Sequence, residues 1–228
     1  MKFFTMSFDD GTVQDVRFTE ILNQYGLKCT FNLNSGFFGQ RHRIVHDGID
    51  CDHTEITADM VPALYRGHEV AVHTVDHPDL STLSREEIIR EVEEDRLRLE
   101  ALCGYPIVGM AYPGGEKPYN EFVIEVLKRD TAIRYARTVG INPHFTMPER
   151  LLEWHPNCDV KDVRLFALAE RFLAAEEERD QLFFVWGHSF EFDKYDSWDR
   201  FQRFCDLIAG RAGIQYVTNR EILAHLTV

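Results

Sequence analysis

At 228 residues the chain is long enough for one large domain or two small ones, and its 44% hydrophobic and 12% aromatic content excludes disordered, collagen-like and disulfide-stapled miniature classes. With 25 Lys and Arg against 38 Asp and Glu, the net charge of −13 sets up a field that repels phosphate polymers and anionic lipid surfaces. Neither nucleic acid nor membrane is therefore expected as a partner. The five cysteines, Cys29, Cys51, Cys103, Cys158 and Cys205, are odd in number and form no C-x-x-C pair, so neither a disulfide framework nor a zinc ribbon is expected. The opening apolar residues meet Asp9 and Asp10 before a secretory core could develop, and runs such as 182–186 are too short to cross a bilayer. The expectation is a soluble, cytoplasmic chain forming one domain over residues 1–228.

In chain order, short apolar runs alternate with stretches whose apolar residues recur every three or four positions, the βαβ pattern. A strand over 3–8 is followed by a helix over 15–25 and a strand over 29–33. Residues 34–55 show no clear period, and segments of that size in compact domains tend to be functional. A helix over 57–66 precedes a strand over 69–72. Next come a helix over 84–103, opened by the capping box Ser84-x-x-Glu87, and a strand over 107–111. A helix over 118–127 leads to strands at one or both of 133–136 and 151–154. The chain then carries a helix over 162–178, a strongly apolar strand over 182–186, a helix over 198–210 and a strand over 215–217. A last helix over 219–226 begins at a second capping box, Thr218-x-x-Glu221. No repeat or linker divides the chain, and seven or eight βα units in one domain suggest an α/β barrel.

The polar residues able to do chemistry directly follow the apolar strands, where a β/α barrel places its active site. Strand 3–8 ends in Asp9-Asp10-Gly11, two carboxylates and a residue that lets the chain turn sharply; alone, this tripeptide reads equally as a solvated turn and helix cap. Strand 69–72 runs into His73-Thr74-Val75-Asp76-His77, whose H-x-x-x-H spacing brings two imidazoles together on one helical turn. The plainer alternative is one buried and one surface histidine. An Asp and two His form a three-ligand site with open positions, as catalytic zinc requires. Strand 107–111 leads into Tyr112-Pro113-Gly114-Gly115, where the glycines permit close backbone approach to a ligand, and strand 182–186 leads into Gly187-His188-Ser189. Four weak signals at four strand ends are jointly stronger than any one.

In order and content these segments resemble the polysaccharide deacetylase family, also known as the NodB-homology or family-four carbohydrate esterases, over nearly the whole chain. Thr5-Met6-Ser7-Phe8-Asp9-Asp10-Gly11 is similar to the family's first motif, and the run from Gly67 to His77 to its second. Tyr112-Pro113-Gly114-Gly115 matches the third in part, and Trp186-Gly187-His188 the last. The resemblance implies a single-domain, distorted seven-stranded β/α barrel and metal-dependent removal of N- or O-acetyl groups from a sugar, oligosaccharide or polysaccharide. It makes Asp10, His73 and His77 the ligands of a divalent transition metal, zinc first, with cobalt and nickel as alternatives. It also makes Asp9 the general base, His188 the general acid, and the Gly114 backbone N–H, following Pro113, an oxyanion donor. Two departures stand out. The family's third motif usually begins with an arginine that orients the base, where this chain has Ala111, and the fourth motif is matched only by Trp154, a candidate wall of the acetyl pocket. Tyr112, Asn32, Asn34 and His155 are further candidate substrate contacts from their strand-end positions. Two alternatives accompany this reading: hydrolysis of a cyclic amide or imide on the same barrel, and a catalytically silent carbohydrate-binding barrel.

Overall fold

Among the described residues ten strands are formed: β1 (Lys2–Asp10), β2 (Thr30–Leu33), β3 (Arg43–His46), β4 (Ile49–Asp52), β5 (Glu69–Val72), β6 (Gly109–Ala111), β7 (Tyr135–Arg137), β8 (Cys158–Asp159), β9 (Gln181–His188) and β10 (Ile214–Tyr216). The structure is a computed structural model and describes residues 1–46, 48–115, 118–176 and 179–226. All strands but β3 and β4 belong to one parallel sheet with the order β7-β6-β5-β2-β1-β9-β8, and β10 fills the edge of β1 below β2. Strand β1 is buried along almost its whole length, and helices cover the outside of the sheet, which is why the inner strands read as continuous apolar runs without alternation.

The sheet curls into the predicted α/β barrel, and the way it closes explains the distortion. Between β7 and β8 the ring is bridged by an irregular piece of chain. The Trp154 N–H donates to Ala136 O at 2.9 Å and its carbonyl accepts from the Thr138 N–H. Three residues later the Asn157 N–H donates to Phe184 O at 2.7 Å. One short segment thus holds both edges. The strand expected over 151–154 is accordingly corrected: Leu151–Glu153 is a 3-10 turn, only Trp154 engages β7, and the strand of this region is β8, which its two residues made invisible to any periodicity.

The expected helices form with shifted ends. Helix Arg85–Cys103 carries the predicted capping box at Ser84 and Glu87, and Thr218 and Glu221 exchange the same pair of bonds ahead of helix Asn219–Leu226. The helix expected over 57–66 is a 3-10 turn, Ala58–Met60, running into a single turn, Val61–Leu64. The one expected over 118–127 is Glu121–Asp130, which starts where the Asn120 side chain accepts from the Val123 N–H. That expected over 162–178 is Leu165–Ala174, its last two expected residues lying outside the described ones. Segment 34–55 contains an antiparallel hairpin, β3–β4, and a short helix, Phe190–Lys194, follows His188; neither was expected. Among the described residues no helix is long and apolar enough to cross a membrane.

Candidate active site

Parallel register sets the site. Along β1, Asp9 lies level with Asn32 of β2 on one side and His188 of β9 on the other, and beyond β5 Ala111 of β6 lies level with Arg137 of β7. Residues distant in sequence are therefore delivered to one rim of the barrel. They surround a cavity of about 480 Å³ lined by Asp9, Asp10, His73, His77, Gly114 and His188 among others.

Asp9 is only 3% exposed, and both of its carboxylate oxygens are engaged. One accepts from Asn32 Nδ2 at 2.8 Å, and the other accepts from the guanidinium of Arg137, a side chain with no exposure at all. Asn32 is itself pinned by donating to Ser7 Oγ and Phe8 O. Arg137 supplies the cation that Ala111 cannot. Because the two residues face each other across β6 and β7, the guanidinium enters from the neighbouring strand, where it also lies over the Trp186 ring, 4.7 Å from the centroid. Sequence reasoning missed Arg137 because cross-strand register is a tertiary fact.

Asp10 and His77 both adopt left-handed backbone, with φ of 78° and 54°, as does Thr74 at 70°. Side chains rarely occupy this region, and such strain persists only where the surroundings enforce it. Here Asn34 Nδ2 donates to the carbonyls of His73 and Thr74. Asp95, on helix Arg85–Cys103, accepts from the backbone N–H groups of His73 and Ser35, while Glu91 accepts from that of Asp76. Burial pushes the Asp95 carboxyl up to about 8 despite these bonds. Asn32 and Asn34, sequence candidates for substrate contact, are instead buried and spent on holding Asp9 and the His73–His77 loop.

The donor atoms of Asp10, His73 and His77 lie within 4.8 Å of one another. His73 Nδ1 sits 2.9 Å from the carbonyl of Ala111, which can only accept, so Nδ1 carries the hydrogen and Nε2 keeps its lone pair, 3.7 Å from Asp10 Oδ1. Burial, which outweighs the nearby aspartates, pushes this imidazole down to about 4 and keeps it neutral. Burial opposes the charge of Asp10, but the His53 hydrogen bond and the field of His188 outweigh it and hold the carboxyl well below the usual range. One carboxylate and two imidazoles suit zinc, cobalt or nickel.

His188 Nε2 stands 3.9 Å from an oxygen of each aspartate. Its Nδ1 faces Glu191 Oε2 at 3.6 Å, and Lys161 Nζ donates to the other Glu191 oxygen at 2.5 Å. Burial disfavours the imidazolium, but Glu191, Asp10 and Asp9 outweigh it and push the pKa up to about 9. Glu191 lies one turn after His188, on the short helix that the sequence reading did not contain.

The other sequence candidates fall in different places. Gly114, at φ of 89°, reaches the cavity in a conformation that favours glycine. Tyr112 lines the cavity with its ring, but its hydroxyl donates to Leu152 O; Pro113 is buried and lies outside the lining. His155 pairs with Thr138 Oγ1 and lies outside it too. Trp154 is not brought to the cavity at all. It packs with Phe3, Tyr135 and Phe184 in a buried cluster, so the expected pocket wall is a core aromatic, and Trp186 is the tryptophan that lines the cavity.

The profile of the polysaccharide deacetylase family matches residues 1–134. The chain belongs to this family. It is 33% identical over 88 residues to a probable peptidoglycan-N-acetylglucosamine deacetylase of Arthroderma benhamiae, a match covering 38% of this chain and 17% of that relative. In structure it is similar to the family-four carbohydrate esterase domain of a multidomain xylanase from the hindgut metagenome of Trinervitermes trinervoides. That likeness has a TM-score of 0.62 at 17% identity and covers 100% of this chain and 92% of the other. A family-four pseudoenzyme from Bacillus anthracis is similar as well, at TM-score 0.57 and 17% identity over 98% of this chain and 65% of that one. The polysaccharide deacetylase fold thus carries both esterases and pseudoenzymes, and function has to be argued from the side chains.

Proposed function

We propose that this protein is a metal-dependent deacetylase that hydrolyses N- or O-acetyl groups of a sugar, oligosaccharide or polysaccharide. The observation that carries this reading is the convergence of an Asp10, His73, His77 donor set, an ion-paired carboxylate and a carboxylate-backed histidine on one cavity. Asp10, His73 and His77 would hold the metal, which when bound supplies polarisation of the acetyl carbonyl and lowers the proton affinity of water. Asp9, held by Arg137 and Asn32, removes the proton of the attacking water. The backbone N–H of Gly114, a residue that lines the cavity, would stabilise the oxyanion. His188, protonated and oriented by Glu191, then delivers a proton to the departing amine or alcohol, without which an amine leaves very poorly. The rings of Trp186, Tyr112, Phe37 and Phe190 give the cavity an apolar lining suited to the C–H faces of a sugar.

With Arg137 paired to Asp9, the absence of an arginine at Ala111 does not favour cyclic amide hydrolysis over deacetylation. The deciding experiment measures acetate release from N- and O-acetylated sugars against ring opening of cyclic amides, with zinc-loaded and chelated protein. Zinc-dependent acetate release supports the proposal. Turnover of cyclic amides alone replaces it with the second reading. Metal and sugar binding without turnover on either class replaces it with a silent carbohydrate-binding barrel.

A further inference from the structure

The hairpin β3–β4 brings to the cavity a histidine that plays no part in the chemistry above. His53, just past β4, is buried to 9% exposure, and its Nε2 lies 3.1 Å from Asp10 Oδ2, the oxygen left over when Oδ1 faces His73. Its Nδ1 is 3.0 Å from Glu55 Oε1, and its ring packs edge-on against Phe190, centroids 4.6 Å apart. Glu55 is 3% exposed, and neither of its oxygens makes a hydrogen bond of good geometry, so a buried carboxylate here has His53 as its facing group. The backbone enforces the placement. Directly after Asp10, Gly11 O accepts from the Ile56 N–H at 2.9 Å and the Val13 N–H donates to Thr54 O at 2.8 Å, so 11–13 and 54–56 run side by side. At the base of the hairpin the His53 N–H donates to His42 O at 3.0 Å.

We propose that His53 is a positioning residue for the metal ligand Asp10: its Nε2–H, oriented from behind by Glu55, fixes the carboxylate so that Oδ1 points at the site shared with His73 and His77. A hydrogen bond on the free oxygen of a ligating carboxylate sets its rotamer before the metal arrives, and loss of such an outer partner typically lowers metal affinity about 10- to 100-fold. The proposal rests on Asp10, His73 and His77 being the ligands. It gives the hairpin a role in metal retention that the barrel strands do not supply.

Zinc affinity and stoichiometry, read by competition with a chromophoric chelator, test it in wild type, His53→Phe, His53→Gln and His77→Ala. His53→Phe keeps a ring against Phe190 but removes the donor, and should weaken zinc about 10- to 100-fold without changing the number of sites or the melting temperature of metal-free protein. His53→Gln restores a donor near the position of Nε2 and should recover most of the affinity, which a merely structural role would not predict. Unchanged or tighter binding in His53→Phe, with zinc still lost in His77→Ala, would overturn the positioning role alone. A second zinc equivalent in wild type that disappears in His42→Ala would make His53 itself a ligand beside His42 and Glu55, and would overturn it as well. Wild-type affinity in His77→Ala would instead remove the ligand assignment, and the proposal with it.

Discussion

The two halves of this barrel are built differently. Strands β1, β2, β5 and β6, within the matched residues 1–134, deliver Asp9, Asp10, His73, His77 and Gly114 as contiguous peptides at strand ends. The half containing β7, β8 and β9 delivers Arg137 as a single side chain whose partner Asp9 lies across the barrel rim, and delivers Trp186, His188 and Glu191 from one segment, in which His188 faces Glu191 and Glu191 accepts from Lys161. On the proposed mechanism, the first half would hold the donor set and the base within short motifs, while the second half would tune charge and supply the acid. Ala111 and Arg137, level on adjacent strands, show how one functional requirement passes between the halves. Here the guanidinium beside Asp9 comes from β7, and β6 offers only Ala111 at the same level.

The sharpest way to break this comparison is at the base. Asp9→Asn should leave zinc stoichiometry unchanged and lower turnover by about two to four powers of ten, because the amide cannot accept the proton. Near wild-type acetate release would take Asp9 out of the mechanism. Arg137→Ala should come next, since it strands a buried carboxylate; unfolding in urea should show a loss of about 3–5 kcal/mol, together with reduced turnover. The double variant Ala111→Arg/Arg137→Ala should regain part of both losses if either strand can carry the guanidinium. No recovery would confine the role to β7.

His188→Ala sharpens the contrast by chemistry. It should keep its metal and lose most N-deacetylation, while retaining far more activity on an aryl acetate, whose phenolate departs without help. Equal losses on both substrates would assign His188 to positioning or oxyanion support. The smallest effect is expected at Trp154. Phenylalanine there keeps the aromatic packing with Tyr135 and Phe184, so Trp154→Phe should leave KM unchanged, whereas Trp186→Leu should raise it. A raised KM in Trp154→Phe would restore Trp154 to the substrate pocket.

Most of the barrel was legible because its strands are covered on both faces and therefore read as unbroken apolar runs between amphipathic helices. The hairpin β3–β4 was not, because its largely exposed strands lack that apolar signature. The 3-10 turn at Leu151–Glu153 was misread as a strand for the opposite reason: its leucines pack against the core without joining the ladder. His53, Glu55 and Glu191 escaped because a lone histidine or glutamate in a loop or short helix carries no pattern.

By itself, the sequence determined what neighbouring residues can encode: helix caps at Ser84 and Thr218, the alternation of apolar strand and amphipathic helix, and the aspartate pair and histidine pair at two strand ends. Only the tertiary structure decided which of these meet, and what holds them. The parallel register set Asn32 and His188 level with Asp9, the adjacency of β6 and β7 let Arg137 stand where Ala111 has no charge, and the stitching of 11–13 to 54–56 brought His53 onto Asp10. The physical reason is range. Propensity, capping and periodicity act over a few residues, whereas a buried carboxylate is stabilised by whichever cation and donors the closed barrel places within hydrogen-bond reach.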